Sequence, residues 1–250
     1  MKSISSGIIG RAARRLMPAR KPRPFDQFIG FTETLAAAKA AGVSVSDYIE
    51  RRHMVGPKTA LELTMDGLTS LGVFNQPIER ICELGPGSGR YLEKVRVRAN
   101  PQTYEIYETS TEWRAWLVEQ YRVQARTCDG KTLAETESGS VGLVHAHKLF
   151  PGLPDLATIN YLREMARVVG ENGWIVFDVM TEACFSEPYL DAWLNVDHAN
   201  WNWTPHLMPR NYAVDLFSSR GIHFTGSFLI PLWPGVTECM VFRKSAPVSG

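Results

Sequence analysis

Apolar and polar positions along the chain change rhythm twice. Residues 4–17 set Ile4, Ile8, Ile9, Ala12, Ala13, Leu16 and Met17 at helical spacing, with Arg11, Arg14 and Arg15 largely on other faces. Pro18 and the Lys-Pro-Arg-Pro run at 21–24 stop that helix. Residues 32–55 predict two helices: Thr32 caps an Ala-rich run over 35–41 that Gly42 breaks, and Ser44 or Ser46 starts the second. A third helix over 58–72 carries Leu61, Leu63, Met65, Leu68 and Leu71, with Gly72 near its end. From Ile78 the pattern becomes short apolar runs separated by helical stretches. Strands are predicted over 79–84, 103–107, 122–126, 141–146, 173–179, 222–230 and 236–243, and helices over 88–97, 110–120, 155–169, 186–194 and 209–220.

Strands alternating with helices predict an α/β fold, a doubly wound and mostly parallel seven-stranded sheet covered on both faces. The last two strands are joined only by Pro231-Leu232-Trp233-Pro234-Gly235, too short for a crossover, so one strand near the C-terminus runs antiparallel. Three regions result: a basic segment over 1–24, a helical extension or lid over 25–77, and a sheet domain over 78–250 with an aromatic insertion at about 180–208.

Composition narrows the possibilities. The chain has 250 residues, 44% of them apolar and 21% charged, enough for a sizeable core. No apolar run reaches the ~18–20 residues that span a bilayer. Seven basic residues precede Pro24, leaving 20 basic against 26 acidic groups in the remainder, a net of −6. An acidic body is a poor match for nucleic acid. The basic segment reads either as an amphipathic helix on an anionic membrane face or as a frayed terminus; an Arg-rich transit peptide is a third reading. Four dispersed cysteines without a CxxC pair fit thiols in a reducing compartment, and a cytoplasmic location, at most peripheral at the inner membrane face, is expected.

The most informative stretch runs from Arg80 through Glu83-Leu84-Gly85-Pro86-Gly87-Ser88-Gly89 to Tyr91. A buried strand enters a turn with three glycines on alternate positions, and a helix follows, an arrangement suited to close backbone approach by a ligand. An NAD fingerprint needs Gly-x-Gly-x-x-Gly; counted from Gly85, the third glycine arrives one place early and Arg90 takes its position. Acid-x-Gly-x-Gly-x-Gly after a first strand resembles motif I of the class I S-adenosylmethionine-dependent methyltransferases. The resemblance covers roughly 78–243 and implies a Rossmann-like methyltransferase fold with S-adenosyl-L-methionine as cofactor. It implies that Glu83 and the loop Gly85, Pro86, Gly87, Ser88 and Gly89 hold the amino acid portion. Glu108, 25 positions after Glu83 at the end of the Tyr-Glu-Ile-Tyr-Glu strand, would hold the ribose hydroxyls. Asp129 and Gly130 would face the adenine, with Lys131 or Thr132 as neighbours. A helix-capping role is the alternative for both acids.

The fourth strand ends in His145-Ala146-His147; period two puts the two histidines on one side while the strand lasts, at the carboxyl end where ligands of such sheets bind. A hydroxyl acceptor must lose a proton, and imidazole, with an ordinary pKa near 6.5, suits that task. His147 is the expected general base, with His145 second and also near the cofactor. The 180–208 insertion offers Trp193, His198, Trp201 and Trp203 for stacking against and bonding to sugar. Several of these tryptophans simply pack the subdomain on the alternative reading. The runs Tyr-Glu-Ile-Tyr-Glu-Thr and Leu-Val-His-Ala-His-Lys are similar to those of sugar O-methyltransferases of bacterial polysaccharide pathways. The expected function is therefore methyl transfer to a hydroxyl of a saccharide or glycolipid intermediate. A small phenolic, lipid or carboxylate acceptor is the alternative, as is a non-catalytic module on a degenerate fold. Asp178 and Glu182 stand where some such enzymes hold a divalent metal, but histidines replace an acid on the fourth strand, so no metal is expected.

Overall fold

The computed structural model describes residues 30–52, 54–55, 58–195, 206–232 and 234–246. The segment 1–24, His198, Trp201 and Trp203 lie outside them. Helix α1 (Phe31–Ala41) ends at Gly42, whose φ of 65° lets its N–H return to Ala38 and Lys39 carbonyls. Helix α2 (Val45–Arg52) starts after Ser44, whose hydroxyl accepts the Asp47 N–H at 3.0 Å. A two-residue hairpin, β1 (Met54–Val55) with β2 (Lys58–Thr59), then leads into α3 (Ala60–Ser70). Thr59 and Glu62 close a reciprocal capping box there, so the helix starts two residues later than the periodicity predicts.

The sheet domain follows as β3 (Arg80–Leu84), α4 (Arg90–Ala99), β4 (Thr103–Tyr107), α5 (Thr111–Tyr121), β5 (Gln124–Ala125) and β6 (Val141–Ala146). It continues through α6 (Asp155–Val168), β7 (Val169–Val179), α7 (Glu187–Leu194), α8 (Arg210–Ser218), β8 (Ile222–Leu232) and β9 (Gly235–Lys244). Seven strands lie in the order β5-β4-β3-β6-β7-β9-β8. The pairs among β5, β4, β3, β6 and β7 are parallel, whereas β9 runs antiparallel to both β7 and β8. The single reversed strand is thus the last one, inserted beside the edge.

Two apolar layers cover the sheet. One packs Phe177, Phe242 and Val144 against Leu162 and Met165 of α6 and Phe217 of α8. The other packs Ile81, Ile106 and Leu143 against Met65 and Leu68 of α3, Leu92 of α4 and Leu117 of α5. Each such aliphatic side chain removed from water contributes about 1.5–3 kcal/mol. Helix α3 is consequently part of the second layer and fits β8 closely: a Cβ on Gly67 would lie 2.4 Å from the Phe228 ring. Strand order and helix placement bring the carboxyl ends of β3, β4 and β6 to one end of the sheet, at the point where strand order reverses between β3 and β6.

Candidate active site

The turn after β3 is anchored before it opens. Gly85 N–H donates to Tyr107 O at 2.8 Å, and Gly89 N–H to Pro86 O at 2.9 Å. All three loop glycines have positive φ, but they serve different ends. A Cβ on Gly89 would sit 2.5 Å from Leu117, so α5 demands glycine there; a Cβ on Gly87 would meet nothing within 4 Å. Gly87 therefore presents open backbone at the apex of the turn, at the foot of α4, whose N-cap Gly89 supplies no side-chain cap.

Glu108 closes the loop from the next strand. One carboxylate oxygen accepts Gly87 N–H at 2.8 Å and the other accepts Ser110 N–H at 2.7 Å. The side chain is buried, and each oxygen keeps a lone pair for a further donor. The predicted ribose acid thus stands against the apex of the glycine turn. Asp129 differs: it is exposed, and its oxygens accept Lys131 N–H, Thr132 N–H and the Thr132 hydroxyl at 2.7–2.8 Å. These bonds, Thr132 N–H foremost, hold its carboxyl below the usual range. The side chain chiefly ties its own turn, and Gly130 beside it has open space where a Cβ would project.

Glu83, His145 and His147 are all buried. The Tyr104 hydroxyl lies 2.7 Å from Glu83 Oε2 and 2.8 Å from His145 Nε2. Burial, followed by the neighbouring Glu108 charge, pushes the Glu83 carboxyl up to about 8 despite the Tyr104 hydrogen bond. His147 stacks on the Tyr91 ring with centroids 4.2 Å apart. Burial and the charges of Lys148 and Arg90 drop its pKa to about 3, and burial holds His145 well below the ordinary value. Among the described residues, neither ring nitrogen of His147 nor His145 Nδ1 has a hydrogen-bond partner. Buried polar atoms are normally paired, so unpaired imidazole nitrogens beside a glycine cradle fit a polar ligand.

Neighbouring groups complete the picture. Arg90, the first residue of α4, pairs with the buried Glu50 of α2 at 2.5 Å, and Glu50 also accepts Leu61 N–H of α3. Lys148, at φ 58°, donates its backbone N–H to Asp178 and its ammonium to Thr237. Glu182 accepts Arg210 N–H. Asp178 and Glu182 are therefore engaged within the protein, and no group of three metal-ligating side chains occurs among the described residues. Trp193 corrects the sequence expectation: it is buried, donates to Cys184 O at 3.1 Å and packs against Gly235, so it is a wall of the subdomain and not an exposed stacking ring. Tyr104, Arg90 and Glu50 were not singled out from the sequence. The period-two alternation that puts Tyr104 on the Glu108 side of β4 is the signal that identifies the first of them.

No family model matches the chain, and no curated protein matches it. Solved structures do. The N-methyltransferase NodS from Bradyrhizobium japonicum, in complex with S-adenosylhomocysteine, superposes with a TM-score of 0.56 at 10% identity, over 76% of this chain and 90% of that one. An O-methyltransferase family protein from Burkholderia thailandensis gives 0.54 at 15% identity, over 88% and 64%. An S-adenosylmethionine-dependent methyltransferase from Mesorhizobium loti gives 0.53 at 13% identity, over 72% and 96%. The fold is that of the class I S-adenosylmethionine-dependent methyltransferases.

Proposed function

We propose that the protein transfers a methyl group from S-adenosylmethionine to a hydroxyl of a saccharide or glycolipid intermediate. The observation that carries the reading is Glu108 bonded to the apex of the glycine turn, with unpaired histidine nitrogens at the adjacent end of β6. The residues present fit the cofactor. Gly87 offers backbone a side chain would obstruct, Glu108 has acceptor capacity for two adjacent ribose hydroxyls, and Glu83 lies directly below the loop. Asp129 and Gly130 are proposed to flank the adenine.

When bound, S-adenosylmethionine supplies a methyl already activated on a positively charged sulfur. The protein has to orient the acceptor and take its proton. Of the two histidines proposed to take that proton, His145 is the second candidate and His147 the first. Its depressed proton affinity keeps the imidazole neutral at pH 7, so a lone pair is available. Support for a sugar acceptor comes from the polar and aromatic residues His198, Trp201 and Trp203, and from the runs similar to sugar O-methyltransferases.

Calorimetry with S-adenosylhomocysteine tests the cofactor: binding is expected, and none would overturn the reading. A screen with methyl-labelled cofactor then ranks saccharide and glycolipid acceptors above small phenols, lipids and carboxylates; a preference for the latter group replaces the acceptor class. The basic segment 1–24 is proposed to hold the enzyme at an anionic membrane face. Removing it is expected to abolish sedimentation with anionic vesicles while leaving cofactor affinity unchanged.

A further inference from the structure

Three buried side chains from three adjacent strands meet behind the glycine turn. Across the β3–β6 pair, Glu83 stands opposite His145, and Tyr104 lies two residues before Ile106, the partner of Glu83 on β4, so all three project on one face of the sheet. The Tyr104 oxygen lies 2.7 Å from Glu83 Oε2 and 2.8 Å from His145 Nε2. The carboxylate and imidazole are 3.9 Å apart, too far to bond directly. A phenol has one hydrogen, so it donates to only one of its two neighbours.

Two arrangements fill both contacts. In the first, Glu83 is ionised and accepts the Tyr104 hydrogen, and Tyr104 accepts a hydrogen from His145 Nε2, leaving Nδ1 with a lone pair. In the second, Glu83 is a neutral carboxyl donating to Tyr104, Tyr104 donates to Nε2, and His145 carries its hydrogen on Nδ1. They differ by one proton, and Nδ1 has no partner among the described residues.

We propose that Glu83, Tyr104 and His145 form a proton relay that takes the acceptor hydroxyl's proton at His145 Nδ1 and stores it on Glu83. The proposal rests on the methyl-transfer reading and gives the base's part to His145, the second candidate there, in place of His147. As the acceptor O–H breaks and its oxygen takes the methyl, the donor's S–CH₃ bond breaks with its electron pair left on sulfur, and the proton joins Nδ1. The Nε2 hydrogen passes to the Tyr104 oxygen, and the Tyr104 hydrogen passes to Glu83. The imidazole is neutral before and after, which circumvents the imidazolium that burial disfavours. The carboxylate is the sink because its own burial gives it an affinity for protons near neutral pH. Other charges face the chain: Glu108 toward Glu83, Arg96 of α4 toward Tyr104, and His147 toward His145, with Lys148 and Arg90 acting on His147. A cation bound at the glycine turn, which begins two residues after Glu83, favours the ionised carboxylate, and a neutral ligand does not. The relay is thereby emptied when the sulfonium form binds and ready to refill once the methyl has left. Tyr104 is a positioning residue that couples the other two.

The test reads the protein's own hydrogens. Infrared absorption of the protonated Glu83 carboxyl, assigned by its loss in Glu83→Gln, and nitrogen-15 NMR of His145 are followed between about pH 6 and pH 9. In the wild type the carboxyl band is expected to vanish as the His145 hydrogen moves from Nδ1 to Nε2, in one step with a midpoint near 8. S-adenosylmethionine moves that midpoint down, and S-adenosylhomocysteine leaves it in place. In Tyr104→Phe the carboxyl still titrates but the tautomer no longer follows. An ionised Glu83 or an unchanging tautomer throughout the wild-type range overturns the relay, as does a Tyr104→Phe protein that switches like the wild type. If a variant fails to fold, carbon-13 labelling of glutamate assigns the band in the wild type. S-adenosylhomocysteine binding with a fixed tautomer sinks the relay alone; an intact switch without cofactor binding sinks the methyl-transfer reading alone.

Discussion

At the level of single atoms, Glu108 and Gly87 belong to the proposed ligand surface, whereas Gly89 belongs to the packing. Replacing Glu108 with Ala removes a proposed ribose acceptor, and calorimetry should show S-adenosylhomocysteine binding weakened by about 1–3 kcal/mol. Gly89→Ala drives a methyl into Leu117 at 2.5 Å and should lower stability by about 1–3 kcal/mol, visible in thermal melting. Gly87→Ala meets no protein atom, so its cost is the φ of 52° alone, about 1 kcal/mol. Its larger effect is expected on cofactor affinity; unaltered affinity would place the ligand elsewhere. The spacing of Glu83, the loop and Glu108 was legible in the sequence because motif chemistry is local. The Tyr104 bridge was not, since it depends on register between β3, β4 and β6, which no single segment encodes. Trp193 misled for a related reason: whether an indole stacks on ligand or fills a gap depends on Gly235, some forty residues away in sequence.

At the scale of elements, helix α2 is fastened to the glycine turn by Glu50, buried between Arg90 of α4 and the Leu61 amide of α3. Removing one partner of a buried pair strands the other charge, at a cost of about 3–5 kcal/mol. Glu50→Ala is therefore expected to speed amide hydrogen exchange across 31–52 while leaving β3 and β6 protected; equal loss of protection everywhere would show that α2 is no separate unit. Most element positions were legible, because strands and helices of the sheet domain keep distinct periods. The exceptions have local causes. Strand β5 shrinks to two residues because Arg122 adopts φ 53° as the C-cap of α5. Strand β7 begins at Val169, four residues early, where a register shift opposite Val141 and Leu143 absorbs Gly170 through Gly173. The 54–59 hairpin was invisible because two-residue strands have no period to detect.

The buried histidines and Glu83 act in opposite directions on the stability of the whole molecule. Glu83 titrates near 8 when folded against an ordinary 4.5, so the folded state keeps a proton that the unfolded chain has lost, and stability falls as pH rises between those values. His147, near 3 against 6.5, and His145, also lowered, do the reverse up to pH 6.5. Between pH 4.5 and 6.5 the two histidines oppose and outnumber the one carboxyl, so stability should climb; from 6.5 to about 8 the Glu83 contribution is lost and stability declines. Thermal melts across pH should peak near 6.5, and Glu83→Gln should remove the decline between pH 6.5 and 8. The overall plan was legible down to the reversed strand, and its exact place has a consequence for biogenesis. Because β9 seats itself between β7 and β8, a nascent chain leaving the ribosome carries an unzipped β7 border until residues 235–244 emerge. Premature stops shortly before Gly235 should thus yield sticky, chaperone-dependent fragments instead of smaller folded proteins.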